Sequence, residues 1–196
     1  MGSNSTEKLP SEAMVYVRYL LGLWPGRALP TFEVHEAEPG NMESWSDDDT
    51  VLVVQEGRRQ LDRQSSDLES IRSRAQFLFT TCLGLLALTF AGTKTLTATH
   101  RWWVLVPWSV SLLSTVVSLL GCTAVIVGRK EMGAVDSTRL SRQRSPVLPT
   151  LAASYARAVR VGENTVATHI TVYRDSVLLA LIGAALYGAA WLGAVL

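Results

Sequence analysis

The chain has 196 residues, with 18 basic and 17 acidic side chains, a net charge of +1 and 48% hydrophobic residues. That near-neutral balance predicts no nucleic-acid partner, which would ask for a clustered basic surface. Its two cysteines, Cys82 and Cys122, are too few for a disulfide framework, and both fall in apolar runs where packing is their expected role.

Charge is segregated along the sequence. Residues 1–46 form an acidic N-terminal region, in which no basic start leads into an apolar run, so no signal peptide is expected. Ser11 and Glu12 can cap a short amphipathic helix through Met14, Val17, Leu20, Leu21 and Trp24, stopped by Pro25-Gly26. Two settings suit it equally, packing on cytosolic helices or lying in the membrane interface. A loop-like stretch follows, with Glu33, Glu36, Glu38 and Glu43. Its spacing fits no calcium loop, which leaves solvated charge or an acidic surface for a cytosolic protein partner.

Ser46 before Asp47, Asp48 and Asp49 is a good helix start, because carboxylates favour the positive end of the helix dipole. The helix predicted from there, 47–74, leads straight into an uncharged run at 75–93. Val54, Leu61, Leu68 and Ala75 recur every seven residues, a thin coiled-coil-like seam broken by Gly57, Gln64 and Ser65. This is one candidate self-association face. Arg58, Arg59, Arg63, Arg72 and Arg74 surround it, and beside a membrane such a stripe reads as topology and headgroup contact.

The run 75–93 is the first of three that meet the spanning length of roughly 20 apolar residues. The second, 102–128, has no charge between Arg101 and Arg129, and its Trp102, Trp103 and Trp108 crowd one end as interfacial aromatics do. The third, 176–196, closes the chain. A soluble helix of such length without a polar face is not expected.

Between the second and third spans lie a basic loop, 129–149, and a cytosolic helix, 150–175, opened by Thr150 after Pro146 and Pro149. Arg129, Lys130, Arg139, Arg142 and Arg144 outnumber the cations of the 94–101 turn. The positive-inside bias therefore puts the N-terminus in the cytoplasm and Leu196 outside. In the third span, Ala180, Ala184 and Gly188 form one small-residue row, and Ala185, Ala189 and Gly193 a second. Rows of this kind let helix backbones approach closely, within one chain or between copies.

The fold expected is thus an all-α integral membrane protein with three transmembrane helices, the first and third extended by cytosolic helices. None of the spans carries an ionisable group at depth, and no phosphate loop, nucleophile elbow or metal-spaced histidine pair appears. Neither catalysis nor a metal or cofactor is expected. The lone His169 reads as structural.

The stretch DLESIRSRAQFLFTTCLGLLAL (Asp67 to Leu88), followed by a second span and another cytosolic helix, resembles the SLATT-like and Pycsar-type transmembrane effectors of bacteria. In those families the first span is entered through a charged-residue–Ala–x–x–Leu/Phe–Leu-type junction. Arg74, Ala75, Leu78 and Phe79 occupy comparable places, and the resemblance covers 47–196. It implies an inner-membrane protein of antiphage systems that damages the membrane once a signal makes it assemble. The acidic N-terminal region and the lack of a nucleotide-binding module depart from that pattern. Two expectations follow: a homo-oligomeric membrane effector, or a non-catalytic accessory or scaffold subunit holding a cytosolic or membrane partner.

Overall fold

The computed structural model describes residues 16–17, 45–128 and 147–196, the side chain of Val147 excepted. The expected helix at 11–24 (apart from 16–17), the acidic stretch before Trp45 and the basic segment 129–146 lie outside the described residues. Four helices follow in order: α1 (Asp47–Ala91), α2 (Thr93–Ala98), α3 (Trp102–Val127) and α4 (Val147–Val195). The architecture is all-helical, with no strand among the described residues. Three of the helices, α1, α3 and α4, are long and apolar enough to cross a membrane.

The contacts divide the chain into two compact units. Unit 1 comprises Met1–Pro30, Ala75–Val127 and Thr171–Leu196; unit 2 comprises Thr31–Arg74 and Gly128–Ile170. Helices α1 and α4 each contribute to both.

The start of α1 is built from Ser46. Its Oγ accepts the Asp49 N–H at 3.2 Å and donates to the Asp49 carboxylate at 2.6 Å, while its carbonyl takes the Thr50 N–H. This reciprocal cap satisfies donors that a helix start otherwise leaves bare. From there α1 continues for 45 residues without interruption.

Two boundaries differ from expectation. α4 begins at Val147 rather than Thr150, so Pro149 lies in its first turn, where the absent N–H costs no bond. The expected 94–101 turn contains the six-residue helix α2. Thr93 and Thr97 each donate their hydroxyl to the carbonyl four residues back, at 3.1 and 2.7 Å, which satisfies polar groups without water. The reversal into α3 is made at His100, whose φ of 50° is left-handed.

In unit 1, α3 is the central element. Half of its most apolar stretch is buried, against 17% for α1 and 11% for α4. Near its start, Leu96, Val104 and Ala190 form a buried cluster with Trp108, Tyr187 and Ala194 against them. Tyr187 donates to the Leu88 carbonyl at 2.9 Å, and a Cβ on Gly92 would sit 2.9 Å from that same phenol oxygen. Only glycine fits there without moving Tyr187.

Farther along, the buried face of α3 is polar. Ser111 Oγ donates to the Gly183 carbonyl at 2.7 Å, and Ser118 Oγ to the Ser176 carbonyl at 2.8 Å. Thr115 bonds back to Ser111, and the Cys82 thiol lies 3.4 Å from Ser118 Oγ. Each of these bonds joins helices or closes a backbone group, so the seam ties α1, α3 and α4 together.

In unit 2, the 47–74 part of α1 pairs with the 147–170 part of α4. Thr50, Val54, Gly57, Gln64, Leu68 and Ile71 are buried on one face of α1, with Leu61 half-buried among them. These positions alternate in steps of four and three, the spacing of a left-handed helix pair.

Candidate functional site

With no expected catalytic residues to assemble, the surfaces that the chain offers or withholds are the candidate site. The seven-residue row is withheld. Val54 and Leu68 are buried, Leu61 half-buried, and the glycine and glutamine that read as interruptions are part of the same seam. A Cβ on Gly57 would meet Tyr155 Cβ at 3.0 Å, so glycine lets the α4 backbone come close. Gln64 donates its amide to the Val159 carbonyl at 3.0 Å and lies over Gly162, where a Cβ would strike its side-chain oxygen. Arg58 donates to the Tyr155 hydroxyl at 3.0 Å, with its guanidinium 5.8 Å from that ring's centre. The partner of this seam is α4 of the same chain, which removes Val54, Leu61 and Leu68 as a free face for a second copy.

Charged candidates at the membrane edge separate into two kinds. Arg74 is exposed. Arg72 is half-buried and donates through Nη2 to the Gly128 carbonyl at 2.7 Å, while its Nε is buried without a hydrogen-bond partner. The Nη2 bond satisfies a backbone carbonyl just past the last residue of α3. Trp102 and Trp103 are 71% and 51% exposed, edge to face at 6.0 Å, with the Arg101 guanidinium 5.6 Å from the Trp103 ring. Arg129 and Lys130 lie outside the described residues.

The small-residue rows of α4 are offered. Ala184, Gly188, Ala185 and Ala189 are exposed, Ala180 and Gly193 half-buried. Among the described residues, nothing lies within 4 Å of a Cβ built on Gly188. Gly193 is in ordinary contact with Val104 at 3.4 Å. Packing within the chain uses a different row, Ser176, Gly183 and Ala190, all buried. A Cβ on Gly183 would lie 2.8 Å from Thr115 Oγ1 and 3.3 Å from the Ser111 carbonyl. Leu181, Ile182 and Leu192 are exposed on the same helix as the four small residues. Gly84 of α1, not singled out from the sequence, is likewise exposed with nothing within 4 Å of its would-be Cβ.

Among the described residues, no group of three His, Cys, Asp or Glu side chains is placed to hold a metal. Both cysteines are free and buried. His169 is buried with Nδ1 2.8 Å from the Thr165 carbonyl. Burial pushes its imidazole below the usual value, the Thr165 bond opposing and the Arg72 charge adding to the shift, so the ring is neutral at physiological pH.

The polar seam of α3 was missed from the sequence. Its signal was present: Ser111, Thr115, Ser118 and Cys122 recur at steps of four, three and four within an otherwise apolar span. No family model, no curated protein and no solved structure matches the chain.

Proposed function

We propose that this chain is a multi-pass inner-membrane protein that acts by self-assembly through the outer face of α4, as a membrane-disrupting effector of a bacterial antiphage or stress system. The uncovered small residues around Gly188 carry the assembly part of this reading. Lipid-facing positions elsewhere hold large side chains, such as Phe77, Leu113 and Leu120, whereas Ala184, Ala185, Gly188 and Ala189 are small and uncovered. In a bilayer, small residues favour association by letting backbones approach, and no described residue comes within 4 Å of a Cβ at Gly188. The effector part rests on the resemblance at Arg74, Ala75, Leu78 and Phe79.

Cross-linking in native membranes tests the assembly. Wild type should give oligomers, and Gly188→Leu should shift them to monomer with insertion intact; Leu113→Ala, on α3 and 64% exposed, should change nothing. Overexpressed wild type should depolarise bacterial cells and Gly188→Leu should not. Oligomers persisting in Gly188→Leu would sink this face, while their loss without a physiological change would favour an accessory subunit.

The proposed orientation, N-terminus in the cytoplasm and C-terminus outside, follows the arginine and lysine excess of the 129–175 segment. A reporter active only outside the cytoplasm should work after Leu196 and fail near Arg142. Activity at Arg142 reverses the orientation.

A further inference from the structure

Tyr16 is 6% exposed, while its neighbour Val17 is 54% exposed. The two residues share a turn of helix but have opposite environments. Tyr16 reaches helices more than a hundred positions away in sequence. Its hydroxyl donates to the Val117 carbonyl of α3 at 3.1 Å and lies 3.3 Å from Ser176 Oγ of α4. Ser176 gives its own proton to the Val172 carbonyl at 2.8 Å. The phenol is therefore the donor toward both, one proton shared between two acceptors.

The seat for this ring exists because position 121 is glycine. A Cβ there would strike the Tyr16 hydroxyl and Ser176 Oγ, and would lie 3.0 Å from Tyr16 Cζ. A large apolar ring with one polar tip matches a notch walled by helix and ending in a carbonyl and a hydroxyl. Phenylalanine would fill the space and lose the hydroxyl's contacts with the Val117 carbonyl and Ser176 Oγ.

Directly behind the notch is the polar seam. Ser118 donates to the Ser176 carbonyl, Cys82 contacts Ser118, and the Cys122 thiol lies beside Ser118 and Ser176. All of Ser111, Thr115, Ser118, Cys122 and Ser176 are fully buried. Such groups attract water once a path to them exists. Tyr16 reaches this seam from outside the three spans through its hydroxyl.

We infer that Tyr16 is a latch: its phenol, seated in the Gly121 notch between α3 and α4, seals the polar seam, and its withdrawal opens the seam to water. Docked, it bridges α3 and α4. Withdrawn, it leaves a gap that ends at Ser118, Ser176 and Cys122. This inference does not depend on whether copies assemble.

The two native cysteines report on the latch directly. Full-length protein in native membranes is treated with N-ethylmaleimide, and modification of Cys122 is followed by mass spectrometry against an SDS-denatured sample. In wild type Cys122 should label slowly. Tyr16→Phe, which keeps the ring but loses its hydrogen bonds, should label roughly fivefold faster, the factor that one lost bond gives a local opening. Tyr16→Ala, which also loses the ring's packing, should exceed that, on the order of a hundredfold. Gly121→Ala should match Tyr16→Ala, because the added methyl occupies the seat. Val17→Ala should label as wild type. Helix content and membrane insertion are checked for every variant, and Tyr16→Phe keeps the test decisive if the alanine variants fail to insert. Wild-type labelling rates in an inserted Tyr16→Phe or Tyr16→Ala protein would overturn the latch. So would an equal rise in Val17→Ala, which would mean general loosening.

Discussion

In unit 2, the row running through Val54, Gly57, Leu61, Gln64 and Leu68 is buried, with Gly57 and Gln64 in contact with α4 of the same chain. In unit 1, the row through Ala184 and Gly188 is exposed, with no described residue within 4 Å of a Cβ at Gly188. Both rows are recognisable by spacing, and both contain glycine. They differ in what their glycines meet. Gly57 and Gly162 are close to side chains of the partner helix, whereas Gly188 and Gly84 are open. Periodicity says that a face is suited to packing; only the fold says whether the partner is already supplied.

The largest effect should come from filling the closed row. In Gly162→Leu, the new side chain displaces the Gln64 amide, which then loses its bond to the Val159 carbonyl and leaves that carbonyl buried. Overpacking and the lost bond together should destabilise unit 2 by about 3 kcal/mol. Protease sensitivity of the 47–74 and 150–170 segments in native membranes measures it. Unchanged resistance would mean that Gln64 swings aside freely, and that the seam is looser than its geometry suggests.

Much of this fold was readable from residue order. Uncharged runs located the three long apolar helices, and Ser46 with its aspartates located the start of α1. What escaped was pairing. Gly57 and Gln64 read as defects, because a lone helix gains nothing from a glycine or a buried amide; each makes sense only opposite Tyr155, Val159 and Gly162. In α4 the packing row lay one position from the expected one, since Ala180, Gly183, Ala184 and Gly188 are all small and spacing alone could not choose among them. Arg72 counted as one more basic residue at a membrane edge, and its bond to Gly128 depends on a residue 56 positions away. Tyr16 had no sequence signal at all. Its meaning comes from Gly121, which by itself is an unremarkable small residue inside a span.

The sharpest test compares two glycines five positions apart on one helix. Gly183 sits against α3, where a Cβ would be 2.8 Å from Thr115 Oγ1 and 3.3 Å from the Ser111 carbonyl; Gly188 has open space. Gly183→Leu must push α4 away from α3 and strain the Ser111 bond to the Gly183 carbonyl. Overpacking of that kind should cost about 2 kcal/mol. Gly188→Leu adds a side chain that lipid tolerates and removes a helix-interior glycine, so the stability of a single copy should change by less than about 0.5 kcal/mol. Unfolding of each variant in mixed detergent and SDS, followed by helix content, measures both. The order matters more than the values. If Gly188→Leu destabilises the dilute, uncross-linked protein as much as Gly183→Leu does, then Gly188 serves packing within the chain and the small-residue row of α4 is not an open face. If it leaves that stability unchanged yet disperses cross-linked oligomers, the two glycines divide the helix into one side that builds the subunit and one that joins subunits.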